Sequence, residues 1–268
     1  MLAAPAPLAP LALLIGAVDE VVDAAPLAPL PRALHGAGLA VNLHGRGPQS
    51  TGVLRAALPG RLWAYEIPGG PRWDDGEHER ARWCRLVRAY GPQADPDELD
   101  VAPPAREPLA TGTVLVHPGA AYASRRWPAQ HWAQVARTLA ERGERVLVTG
   151  SAAERDLAVQ VADLAGLPGD AVLAGRTDLL ELVALVAAAR LLLSGDTGIA
   201  HVAVAVGTPS VVLYGPASPE RWGPPPARRQ HRVLWSGRTG DVFAQTPAPG
   251  LQTITPSQVL DEVGAALA

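Results

Sequence analysis

Residues Leu191–Ala203 read LLLSGDTGIAHVA. A continuous apolar run passes through Gly195-Asp196-Thr197-Gly198 directly into a second apolar stretch that opens a helix at Gly198 and closes near Val206. An apolar run without alternation is a strand buried on both faces, as in a parallel sheet covered by helices on both sides. Ligands of such sheets bind beyond the carboxyl ends of the strands, where helix N-termini point. The same grammar continues outward in both directions. Upstream, Thr113–His117 (TVLVH) predicts a strand. Pro128 is placed as the first residue of a helix, Trp132, Val135, Ala136 and Leu139 follow at helical spacing, and Gly143 closes it. Arg145–Thr149 (RVLVT) predicts the next strand, and Ser151-Ala-Ala-Glu154 a capping box opening a helix to about Ala165. A short strand at Ala171–Leu173, a helix over Leu179–Ala189 capped by Asp178 and Glu181, and a strand at Arg190–Ser194 come next. Pro209–Leu213 (PSVVL) is the last strong strand, and Pro256–Ala268 an amphipathic helix.

The first half is less regular. Leu39–Leu43, Gln49–Leu58 and Leu62–Tyr65 predict strand, helix and strand, and Glu77–Ala89 a helix. Gln93–Pro108 is Pro-rich and acidic and is read as the linker. This divides the chain into residues 1–108 and 109–268. The 268 residues carry a formal charge of −3, with 48% hydrophobic and 18% charged residues. That composition fills a core but gives no basic field for nucleic acid. All 23 basic residues are Arg. The single Cys, Cys84, leaves no intrachain disulfide or Cys-rich zinc site and reads as a small hydrophobe within a helix. Leu2–Val18 is apolar but lacks a preceding positive charge and is interrupted by Pro5, Pro7 and Pro10, which does not fit a signal peptide. The expectation is a soluble cytoplasmic protein with at most peripheral contact at the inner face of the cell membrane.

Two segments offer chemistry. Asp196 or Thr197 is placed to cap the helix at Gly198, small Gly195 and Gly198 let a ligand approach the backbone, and His201 lies one turn in. The plain alternative is a capped helix with a packed His. His117–Trp132 (HPGAAYASRRWPAQHW) follows another strand and carries Ser124, Arg125 and Arg126 before its helix. Two guanidiniums there suit a pyrophosphate, or are simply solvated on a turn. No Gly-x-Gly-x-x-Gly follows a strand, and no Walker A loop or His-Glu-x-x-His occurs. Asp95-Pro96-Asp97 reads as a solvated turn rather than a metal site.

Taken together and in order, HPGAA…RRWP, VLVTG..AE, AGRTDLLELVALVAAARLLLSGDTGIAHVA, GTPSVVLYGP and WGPP resemble the donor domain of the family 9, heptosyltransferase-like glycosyltransferases. The resemblance covers nearly all of Thr113–Pro226. It implies an α/β, GT-B-like fold of two Rossmann-like, doubly wound domains facing a cleft, the N-terminal one incomplete. It also implies inverting, metal-independent transfer of a sugar from a nucleoside-diphosphate donor, ADP-heptose being one such donor, to a carbohydrate or glycolipid acceptor, with no cofactor. By position, Arg125 takes the place of a basic residue on the donor diphosphate, with Arg126 beside it, and Gly119 and Ala120 fall in the phosphate loop. Glu154 aligns with an acid near the ribose, and Thr177 lines the nucleoside pocket. Asp196, Thr197, Gly198 and His201 hold sugar and diphosphate. Val41–Ser50 (VNLHGRGPQS) resembles the acceptor-side loop more loosely, with His44, Arg46 and Ser50 facing the cleft or forming an ordinary polar loop.

Family members begin with a strand and a Gly-Asp loop that supplies the base. This sequence resembles them only from the second strand onward, about one βα unit short, which a different start site or a truncation would produce. Within these residues Asp196 and His44 are the first candidates for the base. The alternatives are a non-catalytic nucleotide-sugar-binding protein and a different nucleotide-sugar enzyme of the same fold, such as an epimerase.

Overall fold

The structure is a computed structural model that describes residues 1–267. It divides into two compact units, Met1–Leu99 and Asp100–Ala268. The division falls inside the stretch read as linker. Residues 100–108 go with the second unit because Val101 N–H donates to Ala205 C=O, Asp100 pairs with Arg228, and Arg106 pairs with Asp178.

The first unit holds two separate parallel strand pairs. Strand β1 (Leu2–Ala4), helix α1 (Ala9–Leu14) and strand β2 (Val21–Asp23) form a β-α-β unit with Leu2 opposite Val21. No apolar period marks this unit, because Pro5, Pro7 and Pro10 interrupt the stretch, although the family resemblance runs from a strand here onward. Strand β3 (Ala40–Val41), helix α2 (Gln49–Ala56) and strand β4 (Leu62–Trp63) form the second, near their expected places. Helix α3 (Glu79–Arg88) closes the unit. On α3, Arg82 is only 1% exposed. Its guanidinium lies 4.1 Å from the Trp73 ring centroid, pairs with Glu79, and donates to the carbonyls of Asp74 (2.8 Å) and Glu77 (2.9 Å).

The second unit is one five-stranded parallel sheet. Its strands are β5 (Val114–His117), β6 (Val146–Val148), β7 (Leu191–Gly195), β8 (Ser210–Tyr214) and β9 (His231–Trp235), in the spatial order β6-β5-β7-β8-β9. Helices α4 (Ala129–Glu141), α5 (Arg155–Ala165), α6 (Leu179–Ala187) and α7 (Gly198–Val206) connect the strands, and short α8 (Pro219–Trp222) and α9 (Pro249–Gln252) precede α10 (Pro256–Leu267). The end of the last expected helix, Ala268, lies outside the described residues. Successive strand residues feed opposite faces. Val114, Val116, Leu191, Leu193, Val211 and Leu213 pack with Trp132, Val135, Val161 and Val259 on one side. Leu115, Leu147 and Leu192 pack with Leu185, Val186 and Ile199 on the other. This two-sided burial is what the unbroken apolar runs encode.

Three expectations are corrected. Pro128 is the N-cap of α4 rather than its first helical residue. Ala171–Leu173 is no strand: a 3-10 turn over Gly169–Ala171 uses its backbone, leaving one bridge between Val148 and Val172. Strand β9 is an additional edge strand, obscured in the sequence by its polar and basic residues and by half-burial.

Candidate donor site

Counted from β5, the strand order is 2-1-3-4-5, so the order reverses between β5 and β7. The crevice at such a reversal is where open α/β sheets bind ligands. The parallel register sets His117 opposite Ser194, which brings the loop after His117 beside Gly195–Gly198. The segments quoted for their chemistry therefore meet here, although 71 residues separate Arg125 from Asp196.

The turn Ala123–Arg125 crosses the ends of β7 and β8. A side chain on Gly195 would press to 2.9 Å from the Arg125 carbonyl, and one on Gly215 to 2.9 Å from that of Ser124. Glycine is required because backbone passes directly over backbone. The Arg125 guanidinium donates to the Asp196 carbonyl at 3.4 Å and lies 5.6 Å from the Tyr122 ring centroid, while its buried Nε has no partner. Arg126 is used differently: its Nε donates to the Ala120 carbonyl at 2.8 Å and ties the loop to itself.

Thr197 occupies the N-cap of α7, but no side chain caps the helix, contrary to the capping expected of Asp196 or Thr197. Extended backbone at Thr197 carries the chain into the helix, and its hydroxyl makes no cap bond. A Cβ on Gly198 would meet open space. The amide end of α7, with its positive dipole, is thus accessible to an anion. Asp196 is buried, which pushes its carboxyl above the usual range against the opposing pull of His201 and Arg125. His201 is exposed on the first turn of α7.

On the β6 side, Glu154 closes the expected capping box by accepting from the Ser151 N–H and hydroxyl, each at 2.8 Å. Gly119 lies against its carboxylate so closely that a Cβ there would collide with it. Partial burial alone would raise the Glu154 carboxyl, yet the Ser151 bonds, with His117 and Arg126, hold it below the usual range. Burial lowers the His117 imidazole from its ordinary range against the pull of Glu154. His117, bonded at 3.1 Å to the Thr149 hydroxyl, stood in the quoted motif but was not singled out. Gly175 has φ +71°, and a side chain there would press to 2.9 Å from the Ala152 Cα. Its N–H donates to the Gly150 carbonyl, and Thr177, half-buried, follows two residues on.

In the first unit the acceptor-side residues separate. Ser50 is buried and accepts from the Asn42 amide at 3.0 Å, as Thr51 does at 3.1 Å. The expectation that Ser50 faces a ligand is corrected: it fastens α2 to the end of β3, and Asn42 is the organising residue. His44 is exposed, its N–H bonded to Asn42 Oδ1. Arg46 lines a shallow pocket with Thr51, Arg55, Glu66 and Ile67. Asp95-Pro96-Asp97 is a turn in which Asp95 accepts the Asp97 N–H and Arg80 holds Pro96 and Asp97. Among the described residues no three His, Cys, Asp or Glu side chains group as metal ligands, and no helix is long and apolar enough to cross a membrane.

Residues 92–246 match the model of glycosyltransferase family 9 (heptosyltransferase). The chain belongs to this family. Lipopolysaccharide heptosyltransferase 2 of Escherichia coli K12 is 37% identical over 162 residues, 56% of this chain and 45% of that protein. Lipopolysaccharide heptosyltransferase 1 of Pseudomonas aeruginosa is 39% identical over 114 residues, 42% of this chain and 31% of that protein. The chain therefore spans less than half the length of the curated family 9 relatives it matches. The structure of the E. coli ADP-heptose lps heptosyltransferase II superposes with a TM-score of 0.72 at 23% identity, covering 98% of this chain and 87% of that one. The family 9 glycosyl transferase of Veillonella parvula superposes at 0.70 and 19%, covering 88% and 75%. These likenesses speak to the fold, which is GT-B-like and built of Rossmann-like α/β domains. In this family 9 chain the five-stranded, doubly wound sheet is that of the second unit.

Proposed function

We propose that this protein is a glycosyltransferase that moves a heptose-like sugar from a nucleoside-diphosphate donor to a carbohydrate or glycolipid acceptor, with inversion and without a metal. The observation that carries this reading is the meeting, at the β5/β7 reversal, of Arg125 with the uncapped, open N-terminus of α7. As the bond between the anomeric carbon and the diphosphate breaks, charge grows on the leaving oxygens. A guanidinium and helix amides already aimed at that place stabilise it without reorganising, the task a metal ion performs elsewhere. The acceptor oxygen bonds to the anomeric carbon from the opposite face and its proton passes to a base. Of the two candidate bases, Asp196 has the better support: a carboxyl raised by burial takes a proton more readily than an ordinary one.

The names of the relatives support heptose as the sugar and a lipopolysaccharide-type glycolipid as the acceptor. A soluble protein acting at the inner face of the cell membrane, with at most peripheral contact, fits that acceptor. Calorimetry with ADP, GDP and UDP in the presence of EDTA tests the donor site, and release of ADP from ADP-heptose in the presence of acceptor tests transfer. Binding of one nucleoside diphosphate that survives chelation is expected. Absence of any binding, or binding restored only by added divalent ion, would overturn the proposal.

A further inference from the structure

Phe243, the one phenylalanine of the chain, is 63% exposed. It is held there rather than left loose. Its N–H donates to Asp241 Oδ1 at 2.8 Å, and the carbonyls on either side, Val242 and Ala244, accept from the hydroxyl (2.9 Å) and N–H (3.1 Å) of buried Ser124. The ring meets Tyr122 edge to face, centroids 5.1 Å apart at 82°, and Tyr122 in turn carries the Arg125 guanidinium over its face. One buried serine thus ties an exposed aromatic ring to the turn that bears the diphosphate-binding arginine.

Position along the sheet says which part of a donor meets it. Glu154 lies in the turn after the edge strand β6, Thr177 follows the Val172 bridge to that strand, and the amide end of α7 follows β7. The Phe243 loop rests on the opposite side: Gly240 N–H donates to Pro216, and Trp235 Nε1 to Gly215, just past β8. A donor with its nucleoside over Glu154 and its diphosphate on α7 directs its sugar toward Tyr122 and Phe243. The C–H face of a sugar ring is apolar and complements the electron-rich face or edge of an aromatic ring.

We propose that Tyr122 and Phe243 form the sugar-side wall of the donor site, an aromatic platform for the sugar to be transferred. The assignment rests on the donor-site reading above. Calorimetry with two probes, ADP and ADP-heptose, separates the two. Phe243→Leu, which keeps an apolar side chain but loses the ring, is expected to weaken ADP-heptose roughly 3–10-fold while ADP stays within about twofold of the unaltered chain. Phe243→Trp is expected to retain ADP-heptose affinity. Unchanged ADP-heptose affinity in Phe243→Leu, or equal weakening of both probes, would overturn the platform while leaving the donor site standing. Failure of the unaltered chain to bind ADP and ADP-heptose alike would overturn the donor-site reading and the platform with it.

Discussion

Arg125 and Arg126 are neighbours in sequence with different tasks. Arg126 is committed to the Ala120 carbonyl, whereas Arg125 makes one long bond to Asp196 and keeps donors for a ligand. Arg125→Ala should therefore weaken nucleoside-diphosphate binding by about 1.5–3 kcal/mol, the worth of a charge-assisted bond. Calorimetry on the folded variant checks this, and an unchanged affinity would remove Arg125 from the site. Gly119 shows a different constraint. Its missing side chain makes room for the Glu154 carboxylate, so Gly119→Ala should force Glu154 off Ser151 and cost about 1–3 kcal/mol. Urea denaturation measures the loss, and a neutral result would mean that the loop yields freely. The motif was legible as residues. That Arg126 holds the loop and Arg125 does not was not legible, because both sit alike in the string.

At the scale of elements, α3 depends on one buried cation. Arg82 fills the space beneath Trp73 and satisfies Glu79 and two carbonyls at once. Arg82→Leu leaves those acceptors without a donor, and breaking one side of such a buried pair costs about 3–5 kcal/mol. Denaturation followed by tryptophan fluorescence reports it directly, since Trp73 and Trp83 pack there; a loss below about 1 kcal/mol would show that water replaces the guanidinium. The elements of the second unit were largely legible. Apolar runs, capping boxes and closing glycines are local signals with a fixed period, and α7 was placed at both ends. Strand β9 escaped because an edge strand needs only one buried face and one partner, so HRVLW carries no unbroken apolar run.

For the whole molecule, buried histidines set an acid limit. Burial, aided by Arg228, lowers His231 from its ordinary 6.5 to about 4, and burial lowers His117 in the same direction. Between those values the unfolded chain binds protons that the folded chain refuses, so stability falls as pH drops from 6.5 toward 4 and the His231 contribution then levels off. A shift of this size corresponds to about 3 kcal/mol for His231. His231→Gln, which keeps a partner for Ser210, should lose less stability than the unaltered protein between neutral pH and the lower value. Urea titrations of the two across that range test it, and parallel curves would place the acid sensitivity elsewhere.

The sequence by itself determined the alternation of strand and helix in the second unit, the two-sided burial of its sheet and the loops that carry chemistry. Each of these follows from contacts within a few residues along the chain. It did not determine the order β6-β5-β7-β8-β9, the placement of Arg125 against Asp196, or the fastening of residues 242–248 to Ser124. Those depend on parallel pairing and loop closure between segments as far apart as 118 residues, where no local period exists to read. Tertiary structure alone also turned Ser50 inward, because the buried Asn42 amide needs an acceptor and the nearest hydroxyls supply it.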